Sequence, residues 1–420
     1  MKLLKVDTIE QAREKIISYT KSWHLKTETL TLNEIQNRIL AEDVYASCDN
    51  PSFRRSTVDG YAVISRETAG AGEAIPVFLK QAGSVLIGKA ADFSIKPGEC
   101  AYVPTGGMLP DGADSVVMIE YTEQITMDKE NSNVVAVYEA VSCGAGMVQI
   151  GEDFKNGELL LRKGALIRAQ EIGALSAAGK TFVSVFAPIK IGIISTGDEL
   201  VAPEKEPKLG EVRDINTNTL KVLSFKHGYN VVSAQVLGDD ERLLETAVRD
   251  ITALCDIVLI SGGSSQGEKD FTAKIIDRIS KPCVFTHGLA LKPGKPTILG
   301  WDEESRTLFA GLPGHPVSAM MVFELLFGSS FLKEIFQIPH SSYLFSHSLA
   351  ARISCNIPGS PGKSLCLPVT LSLDDGNYSA QPVFGKAGMI SVLTRADGYI
   401  IIDMNKEGLN KDDIVQVFLF

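Results

Sequence analysis

The spacing of apolar residues near the N-terminus is that of amphipathic helices. Thr8 has Gln11 three residues later and apolar side chains at helical intervals, and Thr31 has Glu34 at the same capping-box offset. These patterns predict a first helix that begins at Thr8 and a second that begins at Thr31. Residues 170–179 show a third helical pattern, which ends on a glycine.

Two other stretches have the short apolar runs that are typical of β-strands. Residues 49–142 contain such runs broken by glycine and proline, which indicates a β-rich domain inserted between the helical segments. From about residue 346 onward, short alternating segments return. They predict a separate β-domain at the C-terminus.

Residues 188–330 have a different pattern, in which continuous apolar runs alternate with segments of helical periodicity. The predicted strands are residues 189–194, 231–237, 257–260 and 308–310, and the predicted helices are residues 219–227, 241–254, 271–279 and 316–327. Continuous apolar strands separated by helices are typical of a parallel sheet with helices on both faces.

The fold class that follows is a multidomain α/β protein. A chain of 420 residues is too long for one ordinary hydrophobic core, so several domains are expected. The predicted domains are a helical linker domain at residues 1–48 and 143–180, the inserted β-rich domain at 49–142, the α/β domain with the parallel sheet at 181–331, and the C-terminal β-domain at 332–420.

Composition narrows the classes of function. The formal net charge is −10 at pH 7, which argues against non-specific binding to nucleic acid or to an anionic membrane surface. The seven cysteines show no C-x-x-C spacing, so neither a zinc site nor a redox pair is predicted. The sequence shows no signal-peptide core and no apolar stretch of membrane-spanning length, so we expect a cytoplasmic location.

Glycine, proline and charged residues are concentrated in four loops that follow the predicted strands. Ligands of open parallel sheets bind at the carboxyl ends of the strands, where such loops meet. The loops are residues 195–200, 261–270, 292–296 and 311–316. The candidate binding or catalytic residues that they contain are Glu199, Gly262, Gly263, Asp270, Lys292, Lys295 and Pro313.

The residue types in these loops suit an anionic ligand. Glycine N–H groups and helix N-termini can contact phosphate oxygens, and Lys292 and Lys295 would add full positive charges. Glu199 and Asp270 could hold a divalent cation or position a proton, and Asp239 is either a third carboxylate of that site or a helix cap. No Walker or dinucleotide fingerprint is present, which argues against an ordinary P-loop ATPase or dehydrogenase.

A fifth candidate lies in the first half of the chain. Asp59 precedes a glycine at the start of a β-type run within residues 56–63. The same pattern is common in structural turns, so the local sequence leaves a structural and a functional role open for Asp59.

An ordered series of segments carries a resemblance to a known family. The segments are residues 56–63, 104–107, 112–114, 151–153, 195–200, 261–270, 292–296, 311–319 and 388–399. In this order and spacing they resemble the molybdopterin molybdenumtransferase family, whose relatives include the E domain of gephyrin. The resemblance covers nearly the whole chain, which makes it far more specific than any single motif.

The resemblance implies a fold and a reaction. The family has an elongated helical domain, a β-rich insertion, an α/β molybdopterin-binding domain and a C-terminal β-domain, usually in a homodimer. Its reaction takes adenylylated molybdopterin and molybdate, releases AMP and leaves molybdenum on the dithiolene sulfurs, with Mg²⁺ as the usual companion ion. The adenylyltransferase that makes the pterin substrate and the acceptor molybdoenzymes are the implied protein partners.

The resemblance also implies residue roles. The cleft of the family lies between the α/β domain of one subunit and the inserted domain of its partner, so Asp59 and Thr105 would face the α/β domain across the dimer. The residues that they would face are Glu199, Asp270, Lys292, Lys295 and Ser318. Gly262, Gly263 and Pro313 would line the substrate site, and the carboxylates of Asp153, Glu199, Asp239 and Asp270 would serve the metal ion.

Three departures from the family pattern bear on the expected activity. Arg54 and Arg55 stand where the family usually has an acidic residue and an asparagine, and His315 stands where it usually has asparagine. Ser264, Ser265 and Gln266 replace a more apolar run. Two alternatives to the molybdenum transferase therefore remain: a catalytically idle scaffold with the same fold, and a transferase that prefers tungstate.

Overall fold

The computed structural model describes residues 6–126, 133–262, 271–328, 330–338, 348–374 and 376–420. The chain divides into two compact units. The larger unit contains Met1–Glu42, Lys163–Arg168 and Val183–Phe420, and the smaller unit contains Asp43–Arg162 and Ala169–Phe182. None of the helices in the described ranges is both long and apolar enough to cross a membrane.

The helices of the described residues are α1 (Ile9–Tyr19), α2 (Ala169–Ala177), α3 (Asn216–Lys226), α4 (Glu241–Thr252), α5 (Phe271–Ile279), α6 (Pro316–Phe327), α7 (Phe331–Phe336) and α8 (Ser391–Thr394). Strands up to residue 187 are β1 (Thr27–Thr31), β2 (Val44–Tyr45), β3 (Arg55–Ser56), β4 (Gly60–Val63), β5 (Val77–Ser84), β6 (Glu99–Val103), β7 (Ser115–Met118), β8 (Thr122–Thr126), β9 (Asn133–Val137), β10 (Met147–Val148), β11 (Leu159–Leu161) and β12 (Phe182–Phe186).

The strands of residues 188–338 are β13 (Lys190–Thr196), β14 (Leu200–Val201), β15 (Val212–Arg213), β16 (Asn230–Leu237), β17 (Ile257–Ser261), β18 (Pro282–His287), β19 (Leu291–Lys292), β20 (Ile298–Asp302) and β21 (Thr307–Leu312). Those that follow are β22 (Ser348–Ile353), β23 (Ile357–Pro358), β24 (Ser364–Asp374), β25 (Asn377–Pro382), β26 (Gly398–Ile402), β27 (Gly408–Leu409) and β28 (Ile414–Leu419).

The N-terminal segment contains one of the two predicted helices. Thr8 caps α1 through the predicted capping box with Gln11. The predicted helix at Thr31 is wrong, although the Thr31 hydroxyl does donate to the carboxylate of Glu34 at 2.7 Å. Asn37 adopts a left-handed φ of 60°, and its N–H donates to the carbonyl of Ile167, so the backbone pairs with a distant segment instead of continuing as a helix.

A six-stranded mixed sheet organises the smaller unit. Its strand order is β7-β4-β6-β5-β9-β8, in which only β5 and β6 of the neighbouring pairs are parallel. Apolar side chains form two clusters: Val103 and Val116 belong to one, and Tyr61 and Val117 to the other. Side chains that alternate along a strand point to opposite faces, so both faces of this sheet are packed. This is the predicted β-rich insertion.

The larger unit contains the predicted α/β sheet. Its order is β16-β13-β17-β21-β20-β18, and the first four strands are parallel. The sheet is mixed and not wholly parallel, because β20 and β21 are joined by a short turn and pair antiparallel, as do β18 and β20. One apolar cluster joins the sheet to α1, α3 and α6, and a second joins it to α4 and α5. Helices therefore cover both faces.

The C-terminal part of the larger unit is a closed β-barrel. The strands follow the order β24-β25-β22-β28-β26, and β26 pairs again with β24 to close the circle. The short strand β19 adds to β24 in parallel, with Lys292 opposite Leu365. The barrel is therefore hydrogen-bonded to one of the four predicted ligand loops.

A buried carboxylate joins α3 to α6. Lys226 Nζ donates to Glu324 Oε1 at 2.9 Å, and His227 Nε2 lies 2.9 Å from Glu324 Oε2. Burial raises the pKa of Glu324, but hydrogen bonds and positive charge from His227 and Lys226 outweigh it, so its pKa lies below the ordinary value of 4.5. The ion pair is therefore favourable in the folded state.

We predict that Glu324→Gln lowers the free energy of unfolding at pH 7 by about 3 kcal/mol, because it removes one partner of a buried ion pair. Because the folded-state pKa of Glu324 is lowered, its contribution is complete above pH 4.5 and is lost as the pH falls through that lowered value. Urea unfolding followed by the fluorescence of Trp23 and Trp301, which share this core, measures the effect.

Glu245→Gln is the matched control, since Glu245 pairs with Arg249 and Arg278 at the surface. We expect the control to change the free energy of unfolding by less than about 1 kcal/mol. If both variants lose the same free energy of unfolding, burial does not make the Glu324 ion pair more important for stability than a surface pair.

Candidate active site

The loops after four strands of the larger sheet surround a cavity of about 650 Å³. The cavity lies at the carboxyl ends of the parallel strands, as the sequence predicts for a ligand site. Residues from each of the loops that follow β13, β16, β17 and β21 line it. The segment from β15 to the start of α3, Pro296 and Gly388 also contribute to the lining. Glu199, Asp239, Gly262 and Pro313 are the predicted site residues that the cavity brings together.

Hydrogen bonds between two neighbouring loops place Glu199 and Asp239. The N–H of Gly197 donates to the carbonyl of Leu237 at 3.1 Å, and the N–H of Asp239 donates to Asp198 Oδ1 at 2.8 Å. These bonds hold the loops after β13 and β16 together. The alternative role of Asp239 as a helix cap is taken by its neighbour Asp240, which caps α4.

Gly262 stands at a position that requires glycine. Its φ is +108°, and a Cβ atom there would lie 2.2 Å from the carbonyl oxygen of Thr196. The loop after β17 can therefore cross close above the end of β13 only without a side chain. Gly263 and Asp270, predicted in the same loop, lie outside the described residues, as do Ser264, Ser265 and Gln266.

The lysine loop borders the cavity. Pro296 lines the cavity, whereas the side chains of Lys292 and Lys295 are exposed. Gly294 has a φ of +127°, and a Cβ atom there would lie 2.7 Å from both Leu291 and Val322. The loop is therefore packed tightly against α6 at its centre while its two ammonium groups remain in solvent.

The loop after β21 contributes its backbone and the start of α6. The carbonyl of Pro313 accepts a hydrogen bond from Ser261 Oγ at 3.3 Å, and Pro316 occupies the first turn of α6. Ser318 follows in the same helix and is buried, with 4% of its surface exposed. Of the two, Pro313 lines the cavity.

Asn216 is a cavity residue that the sequence patterns did not single out. Its Nδ2 group donates to Ser261 Oγ at 2.7 Å and to the carbonyl of Gly314 at 2.8 Å, so it ties the start of α3 to the ends of two strands. The residue is buried, with 7% of its surface exposed. A polar residue before an apolar helical pattern is the only signal that could have found it, and such residues are ordinarily helix caps.

Asp59 and Thr105 form a hydrogen-bonded pair within the smaller unit. The N–H and the hydroxyl of Thr105 both donate to Asp59 Oδ1, at 2.6 and 3.0 Å. Both residues are exposed. The local turn thus fixes an exposed carboxylate, and the role of the pair in the site stays a prediction.

Asp153, which was predicted as a metal ligand, and Arg54, which departs from the family pattern, both have partners within the smaller unit. Asp153 Oδ2 accepts a hydrogen bond from Asn50 Nδ2 at 2.7 Å. Arg54 donates to the carbonyl of Ala113 at 2.6 Å, and Arg55 lies exposed in the short strand β3. The guanidinium of Arg54 therefore stabilises the local chain.

The predicted set of four metal ligands is not assembled by the described residues. Within the ranges that the structure describes, no group of three His, Cys, Asp or Glu side chains is placed to hold a metal ion. Asp153 belongs to the smaller unit and Asp270 lies outside the described residues. Glu199 and Asp239 remain as the two predicted ligands that line the cavity.

The comparison with known proteins gives a consistent result over the length of the chain. Family models described as the MoeA N-terminal region (domain I and II), a probable molybdopterin binding domain and the MoeA C-terminal region (domain IV) match residues 7–179, 192–333 and 350–420. A molybdopterin biosynthesis protein of Methanocaldococcus jannaschii is 30% identical, with all of both chains covered. The chain belongs to the molybdopterin molybdenumtransferase (MoeA) family.

Further members of the MoeA family support this assignment. The molybdopterin molybdenumtransferase of Haemophilus influenzae is 34% identical over 75% of this chain and 74% of its own. The crystal structure of a molybdopterin biosynthesis MoeA protein of Pyrococcus horikoshii is 32% identical, with a TM-score of 0.80 and 99% of both chains covered. The multidomain architecture is thus that of the MoeA family, and the chain is an enzyme of this type.

We predict that Asn216→Ala lowers the free energy of unfolding of the larger unit by about 2 kcal/mol, because the buried hydroxyl of Ser261 and the carbonyl of Gly314 lose their donor. Tryptophan fluorescence during urea unfolding measures the change. Asn218→Ala, at an exposed position of the same helix, is the control and should cost less than about 0.5 kcal/mol. If the two variants are equally stable, the hydrogen bonds of Asn216 to Ser261 and Gly314 do not stabilise the larger unit.

Proposed function

We propose that this chain transfers molybdenum from molybdate to adenylylated molybdopterin, with release of AMP. Insertion of molybdenum in cofactor biosynthesis is the activity that its named relatives support. The proposal that adenylylated molybdopterin is the substrate is supported by the polar cavity at the carboxyl edge of the sheet. The cavity lies in a chain that the MoeA family models match nearly from end to end. A scaffold protein would not require a cavity lined by carboxylates.

The proposed chemistry depends on positioning and on the neutralisation of charge. Cleavage of a phosphoanhydride bond develops negative charge on the leaving phosphate, which fixed cations and N–H groups stabilise. Lys292 and Lys295 lie at the two ends of a loop that borders the cavity, which supports their assignment to the phosphates. We assign substrate binding to Gly262, Gly263, Lys292, Lys295 and Pro313. Ser318 we leave out of this set, since it is buried and does not line the cavity.

Mg²⁺ fits the residues that line the cavity. This ion is commonly held by one or two carboxylates, and substrate phosphates and water complete its shell. Glu199 and Asp239 would supply the carboxylates, and the ion would neutralise charge on the phosphates. We propose that Asp270 acts with them. Asp153 we leave out of this set, since its carboxylate binds Asn50 in the smaller unit.

We further propose that the working form is a homodimer in which Asp59 and Thr105 of one subunit act on the cavity of the other. The fixed, exposed carboxylate of Asp59 supports a role outside the core of its own unit. The enzyme that adenylylates molybdopterin would supply the substrate, and acceptor molybdoenzymes would take up the product.

We predict that Lys292→Ala and Lys295→Ala each weaken binding of adenylylated molybdopterin by about 1.5–3 kcal/mol, because each removes a charge-assisted hydrogen bond to phosphate. Isothermal titration calorimetry measures the affinity. Lys281→Ala is the control, because this exposed lysine precedes β18 and does not line the cavity. If both loop variants keep the wild-type affinity, Lys292 and Lys295 do not bind the phosphates of the substrate.

A mixture of two inactive variants tests the shared site. Asp59→Asn and Glu199→Gln should each lower the rate of AMP release by orders of magnitude, because each removes a carboxylate from the site. In a symmetric dimer, a mixed pair carries one intact site, so co-refolded variants should recover about a quarter of wild-type activity. If the mixture is as inactive as its components, Asp59 and Glu199 do not act on different subunits.

Light scattering on the same samples gives the assembly state, and a monomer with full activity would contradict the homodimer directly. The control mixture contains Glu204→Gln, an exposed neighbour of the cavity loop, with wild type, and should retain full activity.

A further inference from the structure

The cavity has an unusual balance of charge for a site that binds an anion. Three acidic residues, Glu199, Asp214 and Asp239, line it within the described part of the chain. The basic residues that line the same described part are Arg213 and His315. An anionic ligand therefore meets more negative than positive side chains in the wall of its own site.

Arg213 is already engaged by the protein. Its Nε donates to the carbonyls of Pro203 and Lys205, at 3.0 and 3.1 Å, and its Nη2 donates to Glu206 at 3.1 Å. The guanidinium is thus held by the adjacent loop. Its ability to form hydrogen bonds with a ligand in the cavity is correspondingly reduced.

His315 is differently placed. It precedes the first turn of α6, is exposed, and makes no side-chain capping bond to that helix. A Cβ atom on Gly388 would lie 3.2 Å from His315 Cδ2, so the imidazole rests against the glycine of the barrel segment that also lines the cavity. Within the described ranges, no residue forms a hydrogen bond or an ion pair with this imidazole.

We propose that His315 binds an anionic phosphate group of the ligand through its protonated imidazole, and that the affinity of the cavity therefore falls as the pH rises. The inference rests on the proposed function, since it assumes a phosphate-containing ligand in this cavity. A protonated imidazole adds positive charge where carboxylates predominate and gives the phosphate a charge-assisted donor.

The test uses the pH range in which the charge of an imidazole ordinarily changes and the charges of the neighbouring side chains ordinarily do not. Imidazole is the side chain whose charge ordinarily changes between about pH 5 and 8. The charged groups that line the cavity with it are the carboxylates of Glu199, Asp214 and Asp239 and the guanidinium of Arg213. The nearby loops also carry exposed lysines, which are Lys292, Lys295 and Lys386. Carboxylates, arginine and lysine ordinarily titrate outside this range.

Diadenosine pyrophosphate is a suitable probe for the test. It contains the phosphoanhydride of the proposed substrate, and each of its phosphates keeps one negative charge across this range. AMP is less suitable, because a phosphate monoester changes its own charge near pH 6. Calorimetry with EDTA present removes any contribution from a divalent cation.

We expect the wild-type protein to bind the probe about ten-fold more weakly at pH 8 than at pH 5.5, as the loss of one charge-assisted hydrogen bond implies. His315→Asn should bind weakly at both values, with little dependence on pH. His24→Asn, at an exposed position near α1, is the control and should keep the wild-type dependence. Thermal unfolding of both variants confirms that the fold is retained.

The outcomes separate this inference from the proposed function. If His315→Asn retains the wild-type pH dependence, the role of His315 is wrong, while binding of the probe still supports a phosphate site. If affinity in the wild-type protein does not change with pH, the role of His315 is wrong in the same way. If the probe does not bind to the wild-type protein at either pH, both the inference and the proposed phosphate site are overturned.

Discussion

Burial of the central strands on both faces is the constraint on which the site depends. All residues of β17 and β21 are buried, as are those of β13 after Lys190. Unpaired polar groups are costly inside such a sheet, so polar side chains are confined mainly to the positions where the strands end. Ser195, Thr196 and Ser261 stand at these ends. The burial that requires helices on both faces therefore also places the ligand loops at one edge.

The loops at this edge are held by a few short-range contacts. Gly262 crosses above Thr196 without space for a side chain, and Asn216 connects Ser261 with the carbonyl of Gly314. Contacts of this kind fix the relative positions of loops that come from distant parts of the sequence. The described loop ends that these contacts join are therefore held in place by the protein itself, which lowers the cost of ordering them when a ligand binds.

The strongly periodic elements were predictable from the sequence: α6 begins and ends at the predicted residues, and α5 ends at the predicted Ile279. The helix predicted at Thr31 was not, because a capping box reports only local preference. The hydrogen bond between Thr31 and Glu34 forms, but the N–H of Asn37 pairs with Ile167, far along the chain. Periodicity also did not reveal that β20 and β21 pair antiparallel, since both kinds of buried strand have continuous apolar runs.

The part of the candidate site that was predictable from the sequence consists of residues in loops that directly follow predicted strands. Glu199, Asp239, Gly262 and Pro313 meet at one cavity, as the loop positions indicated. Asn216 was missed because its role is to join two strand ends, and the partners of a side chain are set by tertiary structure. The positions of Gly263 and Asp270 rest on the sequence alone.

The barrel explains why residues so late in the chain matter for the cavity. Strand β19 pairs with β24, so one end of the lysine loop is fixed by the barrel, and its centre packs through Gly294 against Val322 of α6. The N–H of Val317, in the first turn of α6, donates to the carbonyl of Ala387, next to the glycine that contacts His315. The barrel thus makes backbone hydrogen bonds to both the lysine loop and the His315 loop. A charged group stabilises a ligand most strongly when its position is fixed before the ligand binds. By holding the two loops, the barrel helps to fix the positions of Lys292, Lys295 and His315.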